Sequence, residues 1–295
     1  MSVLQIDQLN KHYGRIHAVN NLSLTLEEGS VYGILGPNGS GKTTTLGIVL
    51  GITKASSGHY QWFDGRYGNK ARQHIGALLE TPNFYPYLNA EDNLDIIAHI
   101  KRVDNNQVDE ILELVQLAHR KKSKFKTYSL GMKQRLAIAA SLIGDPKVLI
   151  FDEPANGLDP QGIAEIRNVI QRIAGQGKTI FMSSHILAEI EKVCTDVAII
   201  KNGKLLAAGP IGSIINNTAT IELNSEDNRL LLSVLQDSEM VDKAEIKGHL
   251  IFIQVKDSFH SGHINQLAFQ KGITLTHLIE RKKKLEEEFL EITSA

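Results

Sequence analysis

Cysteine is nearly absent from this 295-residue sequence, in which Cys194 is the only one. A single thiol can form no internal disulfide and cannot supply a structural zinc site, so the composition favours a reducing, cytoplasmic compartment. The sequence also lacks any uninterrupted apolar run of about 18 residues, which predicts that this chain has no membrane-spanning helix. The first ten residues include Asp7 and contain no basic segment leading into an apolar one. We therefore expect no secretory signal peptide.

An excess of charge of either sign is missing as well. The 32 basic and 33 acidic residues give a formal net charge of -1. Residues 1–212 contain 23 basic and 20 acidic residues, and residues 213–295 contain 9 and 13. Neither part is basic enough to act as a nucleic-acid clamp, so no nucleic-acid partner is expected. With 42% hydrophobic residues, the chain is predicted to fold around packed cores as two domains, 1–212 and 213–295.

The pattern of residues 1–212 alternates strands with helices, which indicates an α/β fold with a mostly parallel core sheet. Residues 2–10 and 22–26 alternate in polarity on either side of turn-forming residues, and they predict an antiparallel β subdomain. Residues 89–118 have helical spacing behind the capping residue Asn89, so a helical subdomain is expected over about 89–145. Continuous apolar runs of the kind buried on both faces of a sheet occur at 31–35, 147–151, 179–182 and 197–200.

After Gly209 and Pro210 the sequence predicts a separate series of strands and helices. Its order, βαββαβ, is that of a small ferredoxin-like α+β domain. The final stretch, 282–292, has helical spacing and predicts a closing helix. The elements of the series are predicted at 218–223 (strand), 228–236 (helix), 243–247 and 250–255 (strands), 260–270 (helix) and 273–278 (strand).

A glycine-rich loop follows the buried strand 31–35 and leads into a helix predicted over 42–50, which is the context of a phosphate-binding P-loop. Glycines allow successive backbone N–H groups and the helix N-terminus to face a phosphate. Lys42 is expected to reach the β- and γ-phosphates, and the Thr43 hydroxyl to bind Mg²⁺. The full segment is Gly36, Pro37, Asn38, Gly39, Ser40, Gly41, Lys42, Thr43 and Thr44.

A second apolar strand ends in two carboxylates, Asp152 and Glu153. Open α/β sheets present ligands at the carboxyl ends of their strands, so both side chains are expected beside the phosphate loop. Asp152 is placed to hold Mg²⁺ through its hydration shell, and strand alternation predicts that Glu153 points to the other side, as a general base for water.

Between these motifs lies the segment Tyr128-Ser-Leu-Gly-Met-Lys-Gln-Arg135. It resembles the signature of ATP-binding cassette (ABC) ATPases, and the order of motifs along residues 1–212 matches that family. The segment 156–159 resembles the family's D-loop, His185 its switch histidine, and Tyr13 the aromatic residue on which adenine stacks. The resemblance therefore implies a P-loop NTPase cassette that hydrolyses ATP with Mg²⁺.

The family mechanism implies that two cassettes stack head to tail as a homodimer or a cassette pair. Ser129 and the Gly131 backbone of one subunit would then cap the γ-phosphate bound to the other, with Asp159 at the D-loop. His185 would contact the γ-phosphate while Glu153 orients the water. The resemblance further implies a separate transmembrane permease as partner, and a position on the cytoplasmic side of the cell membrane.

Glu80 marks a departure from the family, which usually carries a glutamine in this loop. A carboxylate can still offer oxygen to Mg²⁺, so Glu80 is a candidate metal ligand and catalytic residue. The alternatives are a surface glutamate without a functional role or an error in the register of this loop. Together with the signature variant, Glu80 is similar to the subgroup that exports bacitracin-like peptide antibiotics or confers lantibiotic immunity. Export of a peptide antibiotic, a drug or a lipid-like substrate is the leading hypothesis.

The rival hypothesis is a soluble ABC ATPase that acts on ribosomes or DNA. Ribosome-directed members usually carry two cassettes in one chain, and DNA-directed members insert a long coiled coil before the signature. Only 87 positions separate Lys42 from Ser129, and one cassette is present, so both features favour transport. The C-terminal domain is a candidate regulatory or dimer-stabilising module.

Several weaker candidates have two interpretations each. His260 and His263 share a helical face, where a surface helix is favoured over a metal site. Cys194 is predicted to pack in the core and not to be a reactive thiol. Phe84, Tyr85 and Tyr87 suit either contact with the permease or core packing, and Trp62 and Phe63 are assigned to the β subdomain.

Overall fold

The strands of this chain are of two kinds, which differ in how they are buried. The computed structural model describes residues 1–79, 83–214, 220–256, 258–281 and 285–294. Val31–Leu35 and Val148–Asp152 are buried along their whole length, whereas Ile16–Glu27 alternates between buried and exposed residues in its second half. The first kind belongs inside a layered α/β sheet, and the second faces a core on one side only. The chain divides into two compact units, Met1–Ile211 and Gly212–Ala295, which are described in turn.

The strands and helices of the described residues are numbered in chain order. Those of the first unit are β1 (Ser2–Tyr13), β2 (Ile16–Glu27), β3 (Val31–Leu35), α1 (Lys42–Val49), β4 (Ser57–Trp62), β5 (Ile75–Leu78), α2 (Ala90–Lys101), α3 (Val108–Leu114), α4 (Leu130–Leu142), β6 (Val148–Asp152), α5 (Pro160–Gly175), β7 (Thr179–Ser184), α6 (Leu187–Val193), β8 (Asp196–Lys201) and β9 (Lys204–Pro210). Then follow α7 (Ile211–Ile214), β10 (Thr220–Ser225), α8 (Asn228–Gln236), β11 (Val241–Lys247), β12 (Leu250–Val255), α9 (Ser261–Gln270), β13 (Leu275–Arg281) and α10 (Leu285–Ser294).

The core sheet has the strand order β5-β6-β7-β3-β8-β9 and is parallel except for β9. This confirms the predicted mostly parallel α/β sheet. The central strand β7 lies between β6 and β3, with Ser183 opposite Asp152 on one side and Ser184 opposite Leu35 on the other. The loops that follow β3, β6 and β7 therefore leave the sheet at one edge, which is where the predicted phosphate loop, the carboxylates and His185 all lie.

A separate antiparallel sheet, in the order β2-β1-β4, confirms the predicted β subdomain. Its strands are longer than predicted, because Asn20 and Asn21 lie inside β2 and are not the turn that their residue types suggested. Asn21 takes a φ of 52°, and its N–H donates to Asn10 Oδ1 at 2.9 Å. The side chain of Asn10 thus supports an irregularity in the ladder that would otherwise end the strand. Trp62 ends β4 of this sheet and Phe63 follows it, in agreement with their assignment to the β subdomain, and both are buried in the core.

The helical region is less continuous than predicted over 89–118. Asn89 does cap α2, with its side chain accepting a hydrogen bond from Asp92 N at 2.9 Å. However, α2 ends at Lys101, where Arg102 takes a left-handed φ of 56°. The polar run Asp104-Asn105-Asn106 follows, and its side chains compete for backbone hydrogen bonds and favour a turn. The short helix α3 begins only at Val108.

The second unit has the predicted βαββαβ order of a ferredoxin-like fold. Its four strands form an antiparallel sheet in the order β11-β12-β10-β13. Residues from the sheet, such as Leu223 and Ile253, share one core with Leu231 of α8 and Ile264 of α9. Within the parts of the chain that the structure describes, no helix is both long and apolar enough to span a bilayer.

Candidate functional site

The loop between β3 and α1 is held in place by close backbone contacts. Gly41 has a φ of 105°, and a Cβ atom at this position would lie 2.3 Å from the carbonyl oxygen of Ala18. Only glycine fits such a position. On the other side of the loop, Gly203 N donates to Ser40 O at 2.9 Å. The loop is thus wedged between β2 and the turn that joins β8 to β9.

Burial divides the predicted loop residues into two sets. Gly36, Ser40 and Lys42 are buried, and Gly36 and Ser40 form the base of the loop. The remaining positions are accessible: Pro37, Asn38, Gly39 and Thr43 are exposed, and Gly41 and Thr44 are half-buried. The accessible positions are those from which backbone N–H groups and the Thr43 hydroxyl could reach a ligand.

Lys42 is the first residue of α1 and is only 6% exposed. Its Nζ donates to Gly36 O at 2.8 Å and lies 3.6 Å from Glu153 Oε1. The N-terminus of α1 has no side-chain cap, so its first N–H groups and its positive dipole end are available to an anion. A buried ammonium and an uncapped helix end therefore face the same loop.

Asp152 is the last residue of β6, and Glu153 lies beyond the strand with a left-handed φ of 49°. The direction of the Glu153 side chain therefore comes from this turn and not from the predicted strand alternation. Glu153 Oε2 accepts a hydrogen bond from His185 Nδ1 at 2.7 Å. Asp152 is buried, and its Oδ1 accepts from Ser183 Oγ at 2.5 Å.

These contacts join four predicted residues into one network: Lys42, Asp152, Glu153 and His185. The imidazole of His185 is half-exposed, and it follows β7 directly. A carboxylate held between an ammonium and an imidazole has a fixed orientation and can serve as the base that takes a proton from water. Ser183, which no sequence motif marks, connects Asp152 to the backbone of Glu153.

Ser129, Gly131 and Asp159 form a second group. Ser129 caps α4 through a hydrogen bond from Met132 N at 3.3 Å, and Asp159 caps α5 through one from Gly162 N at 2.9 Å. A Cβ atom on Gly131 would lie 4.0 Å from Gly162 Cα, so the two helix starts are in contact. Within the described residues, no hydrogen bond or ion pair links this group to Lys42 or Glu153.

Arg135, the last residue of the signature segment, is buried and ties α4 to its neighbours. Its Nη1 donates to Gln116 O at 3.2 Å, and its Nη2 lies 3.2 Å from Glu165 Oε2 on α5. The guanidinium thus fixes α4 against α5, so that the Ser129 and Asp159 caps are held as one unit.

Tyr13 is the third separate element of the predicted site. It ends β1, is about half exposed and pairs with Ile16 across the hairpin turn. The ammonium of Lys11 lies 4.7 Å from the centre of the Tyr13 ring and donates to Lys54 O at 2.9 Å. One face of the ring is therefore in contact with a fixed cation, which no local sequence signal reveals because the partner carbonyl is 43 residues away.

Among the remaining candidates, Glu80 lies outside the described residues, so its predicted role stays a prediction. Phe84 is half-buried with its ring centre 5.1 Å from that of Phe125, whereas Tyr85 and Tyr87 are exposed. This division favours core packing for Phe84 and leaves the two tyrosines available for contact.

Two weaker candidates have structural explanations, although His260 lies just before the helix and not on its face. His260 caps α9 and forms a reciprocal capping box with His263, and this structural role explains both side chains. Cys194 is buried in the core, and burial raises the pKa of its thiol well above the ordinary range, which makes it unreactive at neutral pH.

The donor set fits a magnesium–nucleotide complex better than a metal held by protein alone. The described residues include no group of three or more His, Cys, Asp or Glu side chains that could bind a metal. Asp152 and the Thr43 hydroxyl are the oxygen ligands available near the loop, and Mg²⁺ typically completes its octahedron with phosphate oxygens and water. The residues present therefore fit Mg²⁺ brought in with a polyphosphate.

One groove in the first unit has a different character. It measures about 570 Å³, and Asp7, Glu27 and Asp196 contribute three carboxylates to its lining. No lysine, arginine or histidine is among its lining residues. Such a groove repels a polyphosphate, so the candidate nucleotide site is the loop at the sheet edge.

The chain is similar to known proteins over two thirds or more of its length. The family model described as ABC transporter matches residues 19–156. The bacitracin transport ATP-binding protein BcrA of Bacillus licheniformis is 36% identical over 297 residues, which cover 99% of this chain and 97% of that protein. The lantibiotic transport ATP-binding protein SrtF of Streptococcus pyogenes is 40% identical over 205 residues, covering 69% of this chain and 89% of that protein.

Among solved structures, cbiO1 from Clostridium perfringens, part of the ABC transporter complex cbiONQ, superposes with a TM-score of 0.66 at 29% identity. The match covers 72% of this chain and 90% of that one.

Proposed function

This chain belongs to the ATP-binding proteins of ABC transporters, and from that premise we propose that it powers export through a separate permease by hydrolysing ATP. The family is an ATPase family that uses ATP and Mg²⁺. The observation that carries the proposal for this chain is the network at the sheet edge. There a buried ammonium lies 3.6 Å from a carboxylate that is itself hydrogen-bonded to an imidazole.

We propose a role for each side chain of this network. The N-terminus of α1 and Lys42 bind the β- and γ-phosphates of ATP. Glu153 accepts a proton from a water molecule as the oxygen of that water attacks the γ-phosphorus. The bond between the γ-phosphorus and the bridging oxygen breaks, and ADP and phosphate leave. The hydrogen bond from His185 orients the Glu153 carboxylate and places the imidazole towards the γ-phosphate.

Asp152 and Thr43 are the residues that would hold Mg²⁺, whose charge offsets that of the phosphates. The short hydrogen bond from Ser183 occupies one oxygen of Asp152 and leaves the other to the hydrated ion. Tyr13 offers the exposed face of its ring to adenine.

Ser129, Gly131 and Asp159 are proposed to act in the partner cassette's site. They cluster around the starts of α4 and α5, and Leu130 beside them is exposed. Two chains stacked head to tail would bring the N-terminus of α4 of each chain onto the γ-phosphate bound to the other. The N–H groups at that helix end would then donate hydrogen bonds to the phosphate oxygens. ATP then holds the dimer closed, and hydrolysis releases it.

The permease is proposed to contact the loop that carries Tyr85 and Tyr87. Exposed tyrosines offer both a large apolar surface and a hydroxyl, which suits them to protein contacts. With a permease as its anchor, the chain would lie peripherally on the cytoplasmic side of the cell membrane. The names of the relatives BcrA and SrtF point to a peptide antibiotic as the cargo, and a drug or a lipid-like molecule is the broader class. Both names describe transport, and neither mentions ribosomes or DNA.

The first experiment compares ATP hydrolysis by wild-type protein and by Glu153→Gln. Because a general base contributes about 10² to 10⁴ in rate, Glu153→Gln is expected to lose at least about 100-fold in kcat while it still binds Mg-ATP. Glu28→Gln, an exposed glutamate outside the site, is the matched control and should hydrolyse ATP at the wild-type rate. Normal turnover in Glu153→Gln would contradict this mechanism.

The second experiment tests transport. Tagged Glu153→Gln protein is purified with Mg-ATP from solubilised membranes, and the proteins that accompany it are identified by mass spectrometry. A polytopic membrane protein in stoichiometric amount is the expected result. Ribosomal proteins, nucleic acid or the chain alone would leave the ATPase assignment in place and overturn the transporter.

A further inference from the structure

Ser183 lies fully buried on β7, beside Asp152 and Glu153 at the end of β6. Its hydroxyl donates to Asp152 Oδ1 at 2.5 Å and accepts from the backbone N–H of Glu153 at 2.9 Å. We propose that Ser183 is a positioning residue for ATP hydrolysis, which sets the orientation of both the Mg²⁺-binding aspartate and the general base. This inference rests on the proposed function and extends it to a residue outside the motifs.

The first half of the argument concerns Asp152. A carboxylate with no fixed partner can rotate about its last bond and offer either oxygen. The short hydrogen bond to Oδ1 stops that rotation and leaves Oδ2 as the oxygen free to face the phosphate loop. Groups that hydrogen-bond to a metal ligand in this way control its orientation, and their loss typically costs 10- to 100-fold in metal affinity or activity.

The second half concerns the backbone of Glu153. Its φ of 49° lies in the left-handed region, which is unfavourable for a residue with a side chain. The hydrogen bond from Glu153 N–H to Ser183 offsets part of that cost by tying the turn to β7. Since this turn directs the Glu153 side chain towards Lys42 and His185, the hydroxyl acts on the general base through the backbone.

The surroundings make a purely structural role a poor explanation. Phe181 and Met182 precede Ser183 on β7, and all three are buried. An apolar side chain could fill this position without leaving a hydroxyl in need of partners. The Ser183 hydroxyl instead donates to Asp152 and accepts from Glu153 N–H, so it bonds to two residues of the site.

The test compares Ser183→Ala with Ser141→Ala, which removes another buried hydroxyl, one that bonds only to the backbone of its own helix. Two quantities are measured for each: kcat and KM for ATP, and the affinity for Mn²⁺ by electron paramagnetic resonance with a non-hydrolysable ATP analogue. Ser183→Ala is expected to lose at least about 10-fold in kcat and to bind Mn²⁺ at least about 10-fold more weakly, with KM for ATP within about twofold. Ser141→Ala should match wild type in both.

The conservative variant Ser183→Thr keeps the hydroxyl on a residue that strands favour, so it should recover most of the lost rate and Mn²⁺ affinity. If Ser183→Ala does not fold, as judged by thermal unfolding, Ser183→Cys replaces it, because a thiol keeps the volume and is a weak donor. A Cys variant as fast as the Thr variant would overturn the inference, and so would Ser183→Ala with Mn²⁺ affinity and kcat equal to those of Ser141→Ala. Failure of the proposed function would look different, because wild type itself would not hydrolyse ATP.

Discussion

Gly41→Ala is the substitution that the structure predicts most sharply, because a second loop glycine provides its control. Gly39 and Gly41 both have positive φ, 79° and 105°. An alanine at either position carries a backbone cost of about 1 to 2 kcal/mol. They differ in surroundings, since a Cβ atom on Gly39 has no neighbour within 4 Å, whereas one on Gly41 lies 2.3 Å from Ala18 O.

The magnitude at Gly41 follows from that contact. Ordinary contacts of Cβ atoms begin at 3.4 Å, so the loop and β2 must separate by about 1 Å. Ala18 is not free to move, because its neighbour Val19 is buried and paired with Lys11 in the β subdomain. The loop therefore moves, and since a hydrogen bond to a charged group is worth about 1.5 to 3 kcal/mol, losing one to the phosphates lowers nucleotide affinity by roughly 10- to 100-fold.

Nucleotide affinity is measured with a fluorescent ATP analogue, and stability by urea unfolding. Gly39→Ala is expected to lower the free energy of unfolding by about 1 to 2 kcal/mol and to weaken nucleotide binding by less than about tenfold. Gly41→Ala is expected to bind nucleotide roughly 10- to 100-fold more weakly or not measurably. If the two variants bind nucleotide equally well, the packing of the loop against β2 does not set its geometry, and the reasoning is refuted.

Two further predictions concern Tyr13 and Tyr32. Lys11→Met removes the cation from one face of the Tyr13 ring, so affinity for ATP should fall about two- to fivefold. Affinity for inorganic tripolyphosphate, which has no base, should stay unchanged. Competition binding measures both affinities, and an equal loss of the two would contradict the role of Lys11 in base stacking. Burial, and to a smaller extent the charge of Asp196, raise the pKa of Tyr32 to about 12 from 10.0. The pKa of Tyr32 is higher in the folded than in the unfolded state, so the neutral phenol stabilises the fold. This contribution to the free energy of unfolding is complete below pH 10 and is lost as the pH rises towards 12. At pH 11 the unfolding free energy of wild type should have fallen by about 1.4 kcal/mol more than that of Tyr32→Phe, relative to pH 8, as urea unfolding can show.

The core sheet and the phosphate loop could be predicted from the sequence because their signals are local. Val31–Leu35 is apolar throughout, and the glycines and Lys42 follow it without interruption. A strand buried on both faces and a loop that binds phosphate both depend on neighbouring residues in the chain. The βαββαβ order of the second unit is likewise predictable from short periodic segments.

Irregularities that depend on a distant partner could not be predicted. The residue types of Asn20 and Asn21 indicate a turn, yet Asn10, on the opposite strand, supplies the hydrogen bond that keeps Asn21 within β2. Strand alternation predicts one direction for Glu153, but the strand ends one residue earlier. For Asn20 and Asn21 the residue types indicated an interruption of the strand, and for Glu153 the strand pattern indicated its continuation. Tertiary contacts decided otherwise in both cases.

Ser183 shows the same limit within the site itself, because nothing in its immediate sequence marks it. Its two partners lie about 30 residues earlier and are brought beside it only because β7 is inserted between β6 and β3. That strand order places the phosphate loop on one side of β7 and the carboxylates on the other. A residue near the carboxyl end of β7 therefore lies beside the end of β6, where the Ser183 hydroxyl accepts from Glu153 N–H and donates to Asp152. The motifs predict the groups that contact ATP, and the sheet topology explains why Ser183, which no motif marks, lies beside two of them.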